Sequence, residues 1–94
     1  MKIERFRHKG LKRLYEKDDV NGLPAHATRK ISMMLAALEF SDSLSQIETV
    51  PGWKLHPLKG DRKGEYSLTV TGNWRLTFRL LGNTITDLNL EDYH

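Results

Sequence analysis

Hydrophobic residues follow two different periods along the chain, and the change divides it into a helical half and a β half. Between Ala25 and Phe40 apolar residues recur every three or four positions, which is the spacing of one helix face. The residues on this stripe are Ala27, Ile31, Met34, Leu35 and Leu38. A shorter helix is predicted over 8–17, where Leu11, Leu14 and Tyr15 share the same spacing. The turn over 18–24 contains Asn-Gly and a proline and separates the two helices.

In the second half apolar and polar residues alternate, as in half-buried strands. Two alternating runs, 66–71 and 74–79, flank the Gly72-Asn73 turn, and a last strand is expected over 84–90. The first six residues fit another short strand, and 41–50 an irregular connection with one helical turn. Helices followed by a β-meander predict an α+β fold, with two N-terminal helices packed on one face of a mostly antiparallel sheet of four to five strands. The other sheet face is then free to carry chemistry.

Strand alternation assigns two arginines to that second face. Trp74, Leu76 and Phe78 point one way, so Arg75 and Arg79 point the other. The planar guanidinium binds phosphate through two parallel hydrogen bonds, which makes this face a candidate phosphate clamp. The alternative is that both arginines pair with Asp87 or Glu91 on neighbouring strands, and for Arg79 we favour that ion pair.

Charge supports a polyanionic partner without requiring one. The chain has 94 residues and a formal net charge of +3, consistent with a single domain over residues 1–94. Residues 53–79 hold six Lys or Arg against two acidic residues. Such a patch suits RNA or DNA, and it equally suits a solvated face. The candidate cations for contact with a nucleic acid are Lys54, Arg62, Lys63 and Arg79.

Several classes of protein are disfavoured by the composition. The absence of cysteine removes disulfides and thiolate metal sites. The N-terminus is too charged for a signal peptide, and no apolar run approaches the length of a membrane span, so a cytoplasmic protein without a membrane partner is expected. The four histidines (His8, His26, His56 and His94) lack ligand spacing, so neither a metal nor another cofactor is expected.

Two of those histidines lie in segments with other reactive groups. His56 stands in the basic run WKLHPLKGDRKG, and His94 ends the run EDYH after Asp92 and Tyr93. Free imidazole titrates near pH 6.5 and can both accept and donate a proton. Two imidazoles, a phenol and fixed cations are the groups needed to cleave a phosphodiester without metal. The alternatives are an ordinary surface histidine at position 56 and a frayed chain end at position 94.

Longer motifs connect these residues to a known family. The segments HKGLKRLYE, MMLAALE, PGWKLHPLKGDRKGEYSLTVTGNWRLTFR and EDYH together resemble the HigB-type toxins of the RelE superfamily. The resemblance implies a RelE-like microbial RNase fold and a ribosome-dependent endoribonuclease that cuts mRNA in the ribosomal A site. It also implies three partners: a HigA-like helix-turn-helix antitoxin, the small ribosomal subunit with its mRNA, and operator DNA through the antitoxin complex only.

The resemblance further implies an active-site group made of His56, Lys59, Arg75, Asp92, Tyr93 and His94. One histidine would remove the proton of the RNA 2′-hydroxyl, and the other would protonate the leaving 5′-oxygen. Lys59 and Arg75 would neutralise the developing phosphorane. Two readings from other classes stay open: a non-catalytic basic module that binds RNA or DNA, and a structural protein that docks an acidic peptide.

Overall fold

Three α-helices form one layer of the computed structural model, which describes residues 1–92. They are α1 (Lys9–Lys17), α2 (Thr28–Phe40) and α3 (Leu44–Glu48). The predicted stripe is confirmed, because all five of its residues are at most 3% exposed. The helix predicted from Ala25 begins as an α-helix only at Thr28, since Ala25–Ala27 forms a 3₁₀ turn after Pro24. The short helix α3 lies where one helical turn was expected, and it adds a third helix to the two predicted.

The second layer is a five-stranded sheet. Its strands are β1 (Lys2–Ile3), β2 (His56–Pro57), β3 (Glu65–Thr69), β4 (Trp74–Leu81) and β5 (Thr84–Asp92). They lie in the order β1-β5-β4-β3-β2, and β1 pairs with β5 in parallel while the other three pairs are antiparallel. The last strand extends two residues past its predicted end, so Glu91 and Asp92 belong to the sheet.

The hydrophobic core lies between the helices and one face of the sheet. Leu68, Leu76 and Phe78 contribute from the sheet and are fully buried. The ring of Tyr66 stacks on that of Phe78, with 5.8 Å between the ring centroids. Burying one such side chain contributes roughly 1.5–3 kcal/mol, so this layer supplies the main driving force for folding. The predicted packing of helices on the Trp74–Leu76–Phe78 face is thereby confirmed.

His8 is the N-cap residue of α1, a position at which Ser, Thr, Asp or Asn is more usual. The Nδ1 atom of His8 accepts hydrogen bonds from the backbone N–H groups of Gly10 (3.0 Å) and Leu11 (3.3 Å). Burial lowers the pKa of His8, and the charge of Arg13 lowers it further. The neutral ring needed for capping is therefore favoured. A Cβ atom at Gly10 would lie 2.5 Å from the carbonyl oxygen of Gly22, so this backbone contact requires glycine.

The second sheet face, called here the outer face, carries His56, Ser67, Arg75, Thr77 and Glu91. The expectation that this face is simply free was wrong in part, because Ser67 is 1% exposed and Thr77 is fully buried. The cause is the segment 58–64 between β2 and β3, whose Arg62 side chain reaches over β4 to β5. The outer face is thus a partly covered polar surface.

Candidate active site

Strand register brings two of the predicted site residues onto the outer face. His56 on β2 is paired with Ser67 on β3, which is paired in turn with Thr77 on β4. Directly opposed residues of antiparallel strands point to the same face, and so do residues two apart on one strand. Arg75 therefore points to the same side as His56. Two strand spacings of about 4.8 Å separate their strands. Arg75 lies two residues along β4 from Thr77, the residue aligned with His56.

His56 is exposed, and one of its ring nitrogens has a backbone partner. Nδ1 lies 3.1 Å from the carbonyl oxygen of Lys54. A carbonyl can only accept a hydrogen bond, so in the neutral ring Nδ1 carries the proton and Nε2 carries the lone pair. Lys54 itself has a left-handed backbone with φ of 50°, an uncommon conformation for a residue other than glycine. The residue with this backbone conformation thus provides the carbonyl oxygen that accepts from Nδ1–H of His56.

A carboxylate that joins three segments lies at the centre of the outer face. Glu91 on β5 accepts hydrogen bonds from Arg62 (Nη1, 2.8 Å), Arg75 (Nη2, 3.2 Å) and the hydroxyl of Thr77 (2.7 Å). The hydrogen bond with Arg62 lowers the pKa of Glu91 most, and those with Thr77 and Arg75 lower it further. Burial acts in the opposite direction and raises this pKa. Together these contacts lower the pKa of Glu91 to about 2. Glu91 is therefore ionised throughout the neutral pH range.

A second carboxylate continues the cluster along the sheet. Glu65 accepts from the Nη2 atom of Arg62 at 2.9 Å and lies 3.8 Å from Nη2 of Arg79. Its hydrogen bond with Arg62 is the main reason why the pKa of Glu65 is lowered. Arg79 also lies 3.9 Å from Asp87. The ion pairs considered as the alternative, Arg75 with Glu91 and Arg79 with Asp87, are confirmed.

Three lysines give the neighbouring edge of the sheet a positive charge. Lys54, Lys59 and Lys63 are all exposed. A cleft of about 490 Å³ lies inside the turn from β2 to β3, and it is lined by Pro57, Leu58, Lys59, Gly60, Lys63, Gly64, Glu65 and Tyr66. The volume is within the range of small-molecule sites. Pro57 and Tyr66, which line this cleft, are paired on the sheet face opposite to that of His56, so the cleft is not part of the outer face.

The C-terminal part of the predicted site is only partly described. Asp92 is exposed at the end of β5, where it is paired with Trp74 of β4. The predictions for Tyr93 and His94 lie outside the described residues. Because Trp74 faces the helices, register places Asp92 on the sheet face opposite to Arg75, and β5 is three strand positions from the strand that carries His56. The structure therefore brings His56 and Arg75, but not Asp92, to the outer face. Lys59 follows His56 on the adjoining segment.

Sequence reasoning did not assign Glu91 to the site, although it named this residue as an ion-pair partner. The only signal in the sequence is parity: Glu91 directly precedes Asp92 in a strand whose alternate residues, Leu88 and Leu90, are apolar. That pattern predicts an outward side chain and not a contact with Arg62, which is 29 residues away.

Within residues 1–92 no three His, Asp or Glu side chains are grouped so that they could hold a metal ion. In the same residues no helix has the length and apolar character needed to cross a membrane.

Known proteins share both the sequence pattern and the fold. A family model described as "RelE-like toxin of type II toxin-antitoxin system HigB" matches residues 4–94. A Proteus vulgaris protein named Endoribonuclease HigB is 44% identical over 92 residues, covering 98% of this chain and 99% of its own. Among solved structures, a YoeB/ParE toxin from Agrobacterium tumefaciens is 18% identical with a TM-score of 0.62, and all of both chains is covered. The DinJ-YafQ toxin–antitoxin complex of E. coli matches with 21% identity and a TM-score of 0.58, covering 96% of this chain and 89% of the other.

Proposed function

Because this chain belongs to the HigB family of RelE-like toxins of type II toxin–antitoxin systems, we propose that it is an endoribonuclease that cleaves mRNA in the ribosomal A site and so stops translation. The observation that carries the proposal is the placement of His56 and Arg75 on one sheet face beside a lysine-rich edge. An acid–base group next to fixed cations fits a phosphodiester and needs no metal. The 44% identical relative is named an endoribonuclease.

The reaction begins when the RNA 2′-oxygen attacks the adjacent phosphorus. The 2′-hydroxyl proton must leave, and the 5′-oxygen must gain a proton as the P–O bond breaks. His56 suits the first task, because its Nδ1–H is directed to the Lys54 carbonyl and the lone pair is then on Nε2. His94 is then the acid that protonates the 5′-oxygen, with Tyr93 assisting and Asp92 orienting an imidazole.

Cations stabilise the charge that develops during the attack. The phosphorane carries more negative charge than the diester, so fixed positive groups lower the barrier to the extent that they are already in position. Arg75 is held at its Nη2 atom by Glu91, which restricts its rotamers before RNA arrives. Lys59 is exposed on the segment that follows His56 and supplies the second charge.

Ribosome dependence has a physical reason in this arrangement. His56 and Asp92 are both exposed, and they lie at opposite sides of a four-strand span of the sheet. Such an open site gives free RNA few contacts that fix its backbone. A ribosome that holds the codon in line for attack would supply that positioning, which can be worth several kcal/mol. Lys54 and Lys63 would contact ribosomal or messenger RNA at the rim.

The partners and location follow from the same family. The E. coli DinJ-YafQ structure is a toxin–antitoxin complex of the same fold. We therefore expect a HigA-like helix-turn-helix antitoxin to bind this protein. The resulting complex, rather than the toxin alone, would contact operator DNA. All of these events take place in the cytoplasm.

The test is cleavage of a defined mRNA on programmed ribosomes, with the new 5′ ends mapped. Wild-type protein is expected to cut within the A-site codon, and His56→Ala and Arg75→Ala are expected to lose at least about a hundredfold in rate. Arg29→Gln, which removes an exposed cation from α2, serves as the matched control. Full cleavage by both site variants would refute the site. Ribosome binding without any cleavage, abolished by charge reversal at Lys59, would instead support a basic binding module.

A further inference from the structure

We propose that Glu91 and Arg62 are positioning residues: their ion pair holds the Lys59 segment and the C-terminal end of β5 in the arrangement that cleavage requires. The proposal rests on the proposed nuclease function and adds two residues to it. Neither residue acts on the phosphate. Their role is to fix the places of groups that do.

The contacts of Glu91 connect three separate parts of the chain. Its carboxylate oxygens accept from Arg62 in the segment after β2 and from Arg75 and Thr77 on β4. Both oxygens are used, because Oε1 accepts from Arg62 and Arg75 while Oε2 accepts from Arg62 and Thr77. The side chain of Glu91 is 20% exposed and that of Arg75 is 22% exposed, so solvent screens these bonds only in part. An ion pair of this kind holds its partners in fixed geometry.

Arg62 is occupied by carboxylates in a way that conflicts with a direct role in RNA contact. Its Nε and Nη2 atoms donate to Glu65, and its Nη1 and Nη2 atoms donate to Glu91. All three nitrogen atoms of the guanidinium are therefore engaged. For Arg62 to bind a phosphate, at least one of two charge-assisted hydrogen-bonded pairs would have to break.

The position of the pair explains why it affects the site. Lys59 lies three residues before Arg62, on the same short segment, and Asp92 follows Glu91 directly. Thr77, which bonds Glu91, lies on β4 between the strands that carry Glu65 and Glu91. Without the pair, the segment 58–64 keeps its backbone hydrogen bonds to neighbouring residues but loses its connection to β5. Lys59 and Asp92 would then take up their places independently.

The test is a double-mutant cycle with Arg62→Gln, Glu91→Gln and the double variant, measured as single-turnover cleavage on programmed ribosomes. A displacement of about 1 Å can reduce a rate by about a hundredfold, so each single variant is expected to be ten- to a hundredfold slower at saturating protein. The concentration giving half the maximal rate is expected to change less than about twofold, because no RNA contact is removed. The double variant is expected to be no slower than the slower single variant.

Three results would overturn the proposal. The first is a double variant whose loss equals the product of the single losses, since that means the residues act independently. The second is an Arg62→Gln variant that raises the half-saturating concentration without lowering the maximal rate, which is the signature of a direct RNA contact. The third is a loss in Arg29→Gln equal to that in Arg62→Gln, which means that only net charge matters.

A structural readout keeps this test separate from the nuclease proposal. In backbone amide NMR spectra, Glu91→Gln is expected to shift the resonances of Lys59, Gly60 and Asp61, and Arg62→Gln those of β5 near Asp92. If wild-type protein cleaves no RNA, the nuclease proposal fails while these spectra still decide whether the pair couples the two segments. Shifts confined to the mutated segment would show that it does not.

Discussion

The carboxylate of Glu91 should make the stability of this protein depend on pH in a way that one substitution removes. Glu91→Gln keeps the size of the side chain and one acceptor oxygen but removes the negative charge between Arg62 and Arg75. The variant loses the charge-assisted part of each hydrogen bond. It also leaves two partly buried guanidinium groups near each other with less compensation.

The size of the effect follows from the altered ionisation. A pKa of about 2 in the folded protein, against 4.5 for the free group, means that the fold stabilises the ionised form by about 3 kcal/mol, at about 1.4 kcal/mol per pH unit. Because the folded-state pKa is the lower one, this stabilisation is complete well above pH 4.5 and is lost as the pH falls towards 2. At pH 3.5 about 2 kcal/mol of it remains.

The assay is urea unfolding followed by tryptophan fluorescence at several pH values. At pH 7 the free energy of unfolding of Glu91→Gln is expected to be about 3 kcal/mol below that of wild type, and at pH 3.5 the gap is expected to be about 1 kcal/mol smaller. A domain of this size is stable by roughly 5–15 kcal/mol, so the variant still folds. Trp74, paired with Asp92 beside Glu91, reports on the affected strand.

The control is Glu48→Gln, which removes the same charge from an exposed position on α3. It is expected to change the free energy of unfolding by less than about 0.5 kcal/mol at every pH. A Glu91→Gln variant that matched this control would refute the reasoning. So would a large deficit that stayed constant between pH 7 and pH 3.5, because it would arise from packing and not from ionisation.

Three further substitutions test the helical layer. Gly10→Ala should lower the thermal midpoint, with a destabilisation of about 1–3 kcal/mol, because the added methyl would lie 2.5 Å from a backbone carbonyl oxygen. A methyl added at Gly72 would have no atom within 4 Å, so Gly72→Ala is the control and should be nearly neutral. Equal thermal midpoints for the two variants would contradict this. His8→Ala should lower the free energy of unfolding in urea by about 1 kcal/mol at pH 8 and by less at pH 5. The pKa of His8 is lowered in the folded state, so the stabilisation by its neutral ring is lost as the pH falls below 6.5. A deficit that stayed constant with pH would show that the cap does not depend on the neutral ring. Glu39→Gln should lower the pKa of Tyr15 towards 10.0 in an ultraviolet titration, because the hydrogen bond from Tyr15 to Glu39 is the main reason why this pKa is raised. An unchanged titration of Tyr15 would show that this hydrogen bond is not the reason.

Local pattern was sufficient for the helices and for most strands. The stripe on α2 and the alternation on β4 record which side of each element meets the core, and a helix or strand cannot satisfy its pattern in any other orientation. Parity also predicted that Arg75 and Arg79 face away from the core, and it identified their carboxylate partners as an alternative. The rule also gives the face of Thr77 correctly but not its burial, because alternation does not show whether another segment covers a face.

The sequence indicated some of the candidate site residues but not the contacts between them. His56 was a candidate because it lies in a run of cations, and Lys59 because the family resemblance implies it. The contact of Glu91 with Arg62 was not predictable, since the two residues are 29 positions apart and the strand order that brings them together is a property of the whole sheet.

The sequence by itself therefore determined the elements, the faces they bury and the types of reactive group available, because each of these depends on neighbours within a turn of helix or a few residues of strand. Only the tertiary structure decided which charges meet. Strand order placed β5 two positions from β3, with β4 between them, and Arg62 crosses that gap to join Glu65 with Glu91. Such contacts depend on long-range packing. Hydrophobic burial sets the positions of the strands, and these positions decide which polar side chains of the outer face lie close enough to form hydrogen bonds.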